Sequence, residues 1–171
     1  MISKNMEKAL NDQINKELFS AYYYFSMASF LESKNFDGMA GFMKAQAFEE
    51  MGHVSKFYQY INEQGGRVIL EAIEKPQHEF KGPREIFELA HAHEKYVTSL
   101  INNLVALALK ENDFATKAFL DWFITEQVEE EATMDTIVSK FKIVGENGHG
   151  LLMLDEQLGR RTPPTALAPA E

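Results

Sequence analysis

Residues 43–61 read MKAQAFEEMGHVSKFYQYI. Met43, Ala47, Glu50, Val54, Phe57 and Ile61 follow one another at alternating steps of four and three, the spacing that lines up one face of a helix. Five of the six are apolar. Glu50 is not, and His53 lies three residues further on, one turn along the same side. A carboxylate taken out of water is costly unless something compensates it. This stretch therefore predicts a buried helix face that carries a charge for a reason.

The same interruption recurs in three other stripes. A first helix is expected over about residues 5–34, with Leu10, Ile14, Glu17, Ala21, Tyr24, Ala28 and Leu31 on its apolar face. Asn35 to Gly38 reads as a turn, with Asp37 as the N-cap of the second helix, which runs to about Gln64 and stops at Gly65-Gly66. Residues 65–82 form a long connection containing Pro76. Such a length suits a crossover between two helix pairs. Gly82-Pro83 starts a third helix with Phe87, Ala90, Glu94, Val97, Ile101, Leu104 and Ala108. Asn112-Asp113 marks a turn, with Asp113 as cap, and the fourth stripe is Leu120, Phe123, Gln127, Glu130, Met134, Ile137 and Phe141.

Gly145 to Gly150 breaks the pattern, and Leu151 to Leu158 suits a short fifth helix. Its Leu151-Leu152-Met153-Leu154 patch is expected to pack on the bundle itself. The fold class is all-α: a four-helix bundle with a long crossover between helices two and three and a short C-terminal helix. One domain over residues 1–161 is expected, followed by a flexible proline- and alanine-rich tail over 162–171.

The polar interruptions are mirrored about the two turns. Glu17 and His53 each lie 18 residues from Asn35, and Glu50 lies 15. Glu94 and Glu130 each lie 18 residues from Asn112, and Gln127 lies 15. Residues equidistant from the turn of an antiparallel hairpin sit at one level, and three residues of helix rise only about 4.5 Å. Each set is thus a level cluster, and a constant offset of 77 relates Glu17 to Glu94, Glu50 to Gln127 and His53 to Glu130. The two sets can meet if the hairpins pack core to core.

Composition narrows the chemistry. The chain has 171 residues, no cysteine and a net charge of −9. Disulfides, thiolate zinc sites and cysteine nucleophiles are excluded, and a broad basic nucleic-acid surface is not expected. No basic-then-apolar leader and no apolar run of roughly 20 residues is present, so neither export nor a membrane span is expected, and the cytoplasm is the expected location.

Carboxylates with one imidazole suit iron or manganese, zinc also fits, and calcium has no use for the histidine. Four carboxylates balance two divalent ions. Bundles that hold two metals carry Glu-x-x-His on each of two helices, with a glutamate from each of the others. Here the fourth helix has Gln127-x-x-Glu130 instead, so the second site lacks a histidine and is expected to bind less tightly, with one ion resident and one in transit. Glu49, Glu126, Glu129 and Glu130 stand together as an auxiliary cation site or a solvated acidic edge. Tyr24 is a donor near the metals or a plain core residue, Trp122 less directly so, and Met51 suits packing better than haem ligation. His78, His91, His93 and His149 have no matching partners and receive no role.

On these residues the chain resembles the bacterial non-haem ferritins over nearly its whole length. The resemblance implies that Glu17, Glu50 and His53 hold one iron. It implies that Glu50 bridges to a second iron held by Glu94 and Glu130, with Gln127 close by. Glu49, Glu126, Glu129 and Glu130 match the family's third iron site, and Tyr24 its tyrosine beside the centre. It further implies Fe(II) oxidation by oxygen or peroxide, storage of ferric mineral in a cage of 24 chains, and packing of the terminal helix at a symmetry axis. No haem is expected, because bacterioferritins carry a second Glu-x-x-His where this chain has Gln127-x-x-Glu130. Rubrerythrins add a cysteine-bound iron, which this chain cannot form, and mini-ferritins place their ligands between subunits. Two other functions compete: a carboxylate-bridged oxygenase acting on an organic substrate, and a structural bundle without metal chemistry.

Overall fold

A computed structural model describes residues 1–145 and 147–161. The tail from Thr162 to Glu171, expected to be mobile, lies outside the described residues. Five helices and no strand occur among the described residues: α1 Lys4–Ser33, α2 Asp37–Glu63, α3 Pro83–Lys110, α4 Phe114–Val144 and α5 Gly148–Leu158.

Helix ends follow from local chemistry. Ser3 caps α1 by accepting from the Met6 N–H at 2.9 Å. Asn35 and Asn112, the two turn centres, adopt positive φ of 59° and 56°. Asparagine tolerates that left-handed conformation better than most residues. In both turns the next N–H reaches back to close the helix end, Phe36 to Leu31 O at 3.0 Å and Asp113 to Ala108 O at 2.8 Å. Asp113 caps α4 as expected, accepting from Thr116 N at 3.0 Å.

Two expectations change. Asp37 is the first residue of α2 and not its cap: Phe36 occupies the cap position and has no side-chain bond to give. The fifth helix starts at Gly148, three residues earlier than expected. Asn147 accepts there from His149 N at 3.0 Å and Gly150 N at 3.3 Å.

The crossover runs along α1 on a rail of side chains. Glu7 accepts from Arg67 N at 2.9 Å, Asn11 bonds Arg67 O at 3.0 Å and Ile69 N at 2.7 Å, and Asn15 reaches Glu71 O and Ala72 O. These residues are one helical turn apart, so one face of α1 satisfies the extended backbone's polar groups.

The core has two apolar clusters. One takes Tyr24, Met27, Met43, Phe87, Met134 and Phe141. The other takes Leu10, Ile14, Phe57, Ile101, Leu120 and Phe123. On every long helix the stripe glutamates fall between the segments that feed the two clusters. A buried polar layer thus divides the core. Of the terminal patch, Leu154 is buried with Leu158 and Leu151 is partly buried, while Leu152 and Met153 stay exposed.

Candidate metal centre

Each long helix delivers acid or amide to the layer because its stripe breaks at the same height. Glu17 on α1, Glu50 and His53 on α2, Glu94 on α3, and Gln127 and Glu130 on α4 are all buried, Glu94 completely. The hairpins do pack core to core. Tyr24 on α1 donates a short hydrogen bond to Glu94 Oε1 on α3. Gln46 Nε2 on α2 donates to Glu130 Oε2 on α4 at 2.9 Å. The His53 ring lies edge-on to Phe123 of α4, 5.7 Å between centroids.

Glu17, Glu50 and His53 each offer one ligand atom, and those atoms lie within 4.8 Å of one another. His53 Nδ1 is 3.1 Å from Glu50 Oε2 and 3.7 Å from Glu17 Oε2. Gln13 donates to the other Glu17 oxygen at 2.7 Å. Glu17 Oε2 is buried with no hydrogen-bond partner. An orphaned carboxylate oxygen beside an imidazole nitrogen is costly unless a cation serves it. The donor set of two carboxylates and one imidazole fits a first-row divalent ion.

The second set is held differently. Glu94 takes its bonds from Tyr24 and from Gln127 Nε2, the latter at 3.2 Å from Oε2. Gln127 also reaches the Glu94 carbonyl at 3.2 Å and Thr98 Oγ1 at 3.3 Å. Among the described residues, no other group of three acids or histidines closes as Glu17, Glu50 and His53 do.

Burial acts first on every ionisation here. It pushes Glu50 well above the usual carboxylate range, opposed by His53 and reinforced by the charges of Glu17 and Glu94. Burial also raises Glu94 to about 7, helped by Glu130 and opposed by the bonds from Tyr24 and Gln127. Glu130 rises through burial and the charge of Glu49, against the Gln46 bond. Glu17 goes the other way: burial would raise it, but His53 and Gln13 outweigh that and hold it low. His53 is raised well above its ordinary value because both acids overcome its burial. Tyr24 is pushed well above its ordinary value by burial and by the surrounding carboxylates.

Of the flanking acids, Glu49 and Glu126 are partly buried and Glu129 is exposed. Glu49 meets the guanidinium of Arg161. Trp122 is about 40% exposed, with its ring 5.5 Å from that of His53 and the Lys56 ammonium 4.2 Å from its centroid. Met51 is exposed, outside the core.

Several partners escaped the sequence. His93, given no role, bonds Ser20 Oγ at 2.8 Å through Nε2 and stands edge-on to Tyr24, 5.9 Å between centroids. Burial lowers its pKa to about 4, so it is neutral at pH 7. Gln13, one turn before Glu17, was legible as an i,i+4 pair. Gln46 carried a weaker signal, a polar residue one turn before Glu50. Arg161 carried none, since 112 residues separate it from Glu49.

The family model of the ferritin-like domain matches residues 7–144. Among relatives, a probable bacterial non-heme ferritin-like protein of Haemophilus influenzae is 41% identical over 159 residues, 93% of this chain and 96% of that one. A bacterial non-heme ferritin of Campylobacter jejuni is 40% identical over 158 residues, 92% of this chain and 95% of that one. Among solved structures, an open pore ferritin from the archaeon Archaeoglobus fulgidus superposes with a TM-score of 0.94 at 45% identity, covering 95% of this chain and 100% of that one.

Proposed function

This chain belongs to the ferritin-like family, and from that premise we propose that it stores iron, oxidising Fe(II) at the buried carboxylate–histidine centre. One observation carries the reading: Glu17, Glu50 and His53 converge in a buried layer with Glu17 Oε2 left without a partner among the described residues. Fe(II) is the substrate. Glu17, Glu50 and His53 would hold the first ion, and Glu94 and Glu130, with Gln127 beside Glu94, would hold a second. Two Fe(II) ions each lose one electron, and the pair reduces dioxygen to peroxide, or peroxide to water, with two protons taken up.

The residues prepare for charge arriving. Glu50, Glu94 and His53 hold protons more readily than their ordinary values imply, and a binding cation displaces those protons. Tyr24 keeps Glu94 oriented and stays protonated, its hydroxyl donating to Glu94 Oε1. Glu49, Glu126 and Glu129 form a third cation position with Glu130 on the outward side.

The assembly is a homo-oligomeric cage of 24 chains located in the cytoplasm. Support comes from apolar side chains on the chain's outer surface: Leu152 and Met153 on α5, and Ile69 and Leu70 on the crossover. No helix among the described residues is long and apolar enough to cross a membrane.

The test is aerobic addition of Fe(II) with ferric absorbance followed in time and the product sized. Oxidation well above the buffer rate, with many irons retained per chain in a large particle, is the expected result. Turnover without retention points to an oxygenase, and oxidation at the buffer rate removes the centre altogether.

A further inference from the structure

Arg161 reaches the flank of the centre from the far end of the chain. Three features of α5 fix its path. Asp155 accepts from Gly38 N at 3.2 Å and Met39 N at 2.8 Å, giving α2 the cap that Phe36 cannot supply. Gly38 and Gly159 let the two backbones touch; a Cβ on residue 38 would stand 2.0 Å from the Asp155 carbonyl oxygen. Leu154 and Leu158 bury into the core. The chain leaves α5 and lays the Arg161 side chain along α2, over Phe42, Gln46 and Glu49, which share one helix face.

The contacts there are those of a seated cation. The guanidinium carbon lies 4.4 Å from the Phe42 ring centroid. One arm of the guanidinium donates to Gln46 Oε1 and the other to Glu49 Oε2. Arg161 and Glu49 are both partly buried, at 24% and 23% side-chain exposure, so solvent does not fully screen the pair.

Two consequences follow from the donor inventory. A guanidinium has donors only, so it selects the Gln46 amide orientation that presents Oε1 outward. The same orientation turns Nε2 inward, where it donates to Glu130. The amide thus shows Glu130 a donor and no lone pair, and Glu130 spends an oxygen on it. At Glu49 a fixed positive charge already stands where a metal ion has to approach.

We propose that Arg161 is a positioning residue that governs cation access at the Glu49–Glu130 flank: it occupies Glu49, locks the Gln46 amide against Glu130, and swings out to admit a divalent ion. This rests on the metal-centre reading above and adds a gate to it. The gate is local, since the contacts run to Phe42, Gln46 and Glu49 and not to Glu17, Glu50 or His53.

The experiment is calorimetric titration of Zn(II), a redox-inert divalent ion, into the full-length protein in its native assembly. R161Q is expected to tighten the weaker binding by roughly tenfold, the scale for removing one partly screened charge beside a divalent ion. Its tightest binding event is expected to be unchanged. E49Q/R161Q is expected to lose the gain. R161K keeps a charge but cannot span both acceptors, so roughly a threefold gain is expected. A Zn(II) isotherm for R161Q that superposes on wild type, or a gain that survives in E49Q/R161Q, overturns the gate while leaving the centre standing. If R161Q does not assemble, R161K carries the test alone, and an unchanged isotherm overturns the gate. Failure of the wild-type protein to bind Zn(II) overturns the centre and the gate with it.

Discussion

The two halves of the centre solve one problem in different ways. Glu17, Glu50 and His53 converge on one another, with an imidazole supplying the compensating charge. Glu94 and Glu130 have no imidazole of their own and are each held by neutral donors: Tyr24 and Gln127 for the first, Gln46 for the second. The first half offers three candidate ligand atoms within 4.8 Å of one another, one of them a carboxylate oxygen without a hydrogen-bond partner. The second is a pair of carboxylates whose lone pairs are partly spent, so an ion entering there must displace hydrogen bonds. The difference comes down to two positions, Gln127 and Glu130 where the first half has Glu50 and His53, and it predicts unequal affinities.

Breaking the first half has the largest effect. His53→Ala is expected to lower the Fe(II) oxidation rate by more than about 100-fold, since a metal ligand matters more than the outer partners whose loss costs roughly 10–100-fold. It also leaves Glu17 and Glu50 without their counter-charge, and the metal-free protein is expected to lose about 3–5 kcal/mol in chemical unfolding. Near-normal oxidation by this variant would sink the proposed centre.

Lowering the pH weakens both halves, because each holds protons that a cation must displace. Glu94 is raised to about 7, chiefly by burial and then by Glu130. Below that pH it holds a proton, and a cation must displace it. In the first half Glu17 is held low and stays ionised, but Glu50 and His53 are raised well above their ordinary values and also give up protons to a cation. Between pH 7 and pH 6 the weaker site should therefore lose up to about tenfold in Zn(II) affinity from this one proton. A weaker site whose Zn(II) affinity does not change between pH 7 and pH 6 would contradict the role given to the Glu94 proton.

Making the halves alike sharpens the comparison from the other side. Glu130→His places an imidazole where the first half has one, and the weaker site's Zn(II) affinity is expected to rise by roughly tenfold, narrowing the gap between the two events. Smallest is Tyr24→Phe, which removes one donor from Glu94 and keeps the ring. Oxidation is expected to slow a few-fold, with the tight site's Zn(II) affinity unchanged; a loss at the tight site would place Tyr24 in the wrong half.

Much of this was legible in the residues. The mirrored distances about Asn35 and Asn112 put three polar groups at one level in each hairpin, and both asparagines take the left-handed turn conformation that centres them. Asp113 was readable as a cap because its bond is local, to Thr116. Asp37 misled for the same reason: it has the chemistry of a cap, but the α2 N-terminus is served by Asp155, 117 residues away from Gly38. His93 was passed over because its partner Ser20 is 73 residues distant and the periodic pattern of α3 gives no hint of it.

By itself the sequence determined four long helices, their pairing into hairpins, and the height at which acid interrupts each stripe. These follow from local rules: helical period, turn chemistry and the cost of a buried charge. Only the tertiary structure decided that the two sets share one layer between two apolar clusters, that Glu17 keeps a bare oxygen while Glu94 does not, and that Arg161 returns to sit on Glu49. Contacts between residues a hundred positions apart depend on how helices dock, and docking is set by shape and close approach, as at Gly38 and Gly159, which no spacing along the chain records.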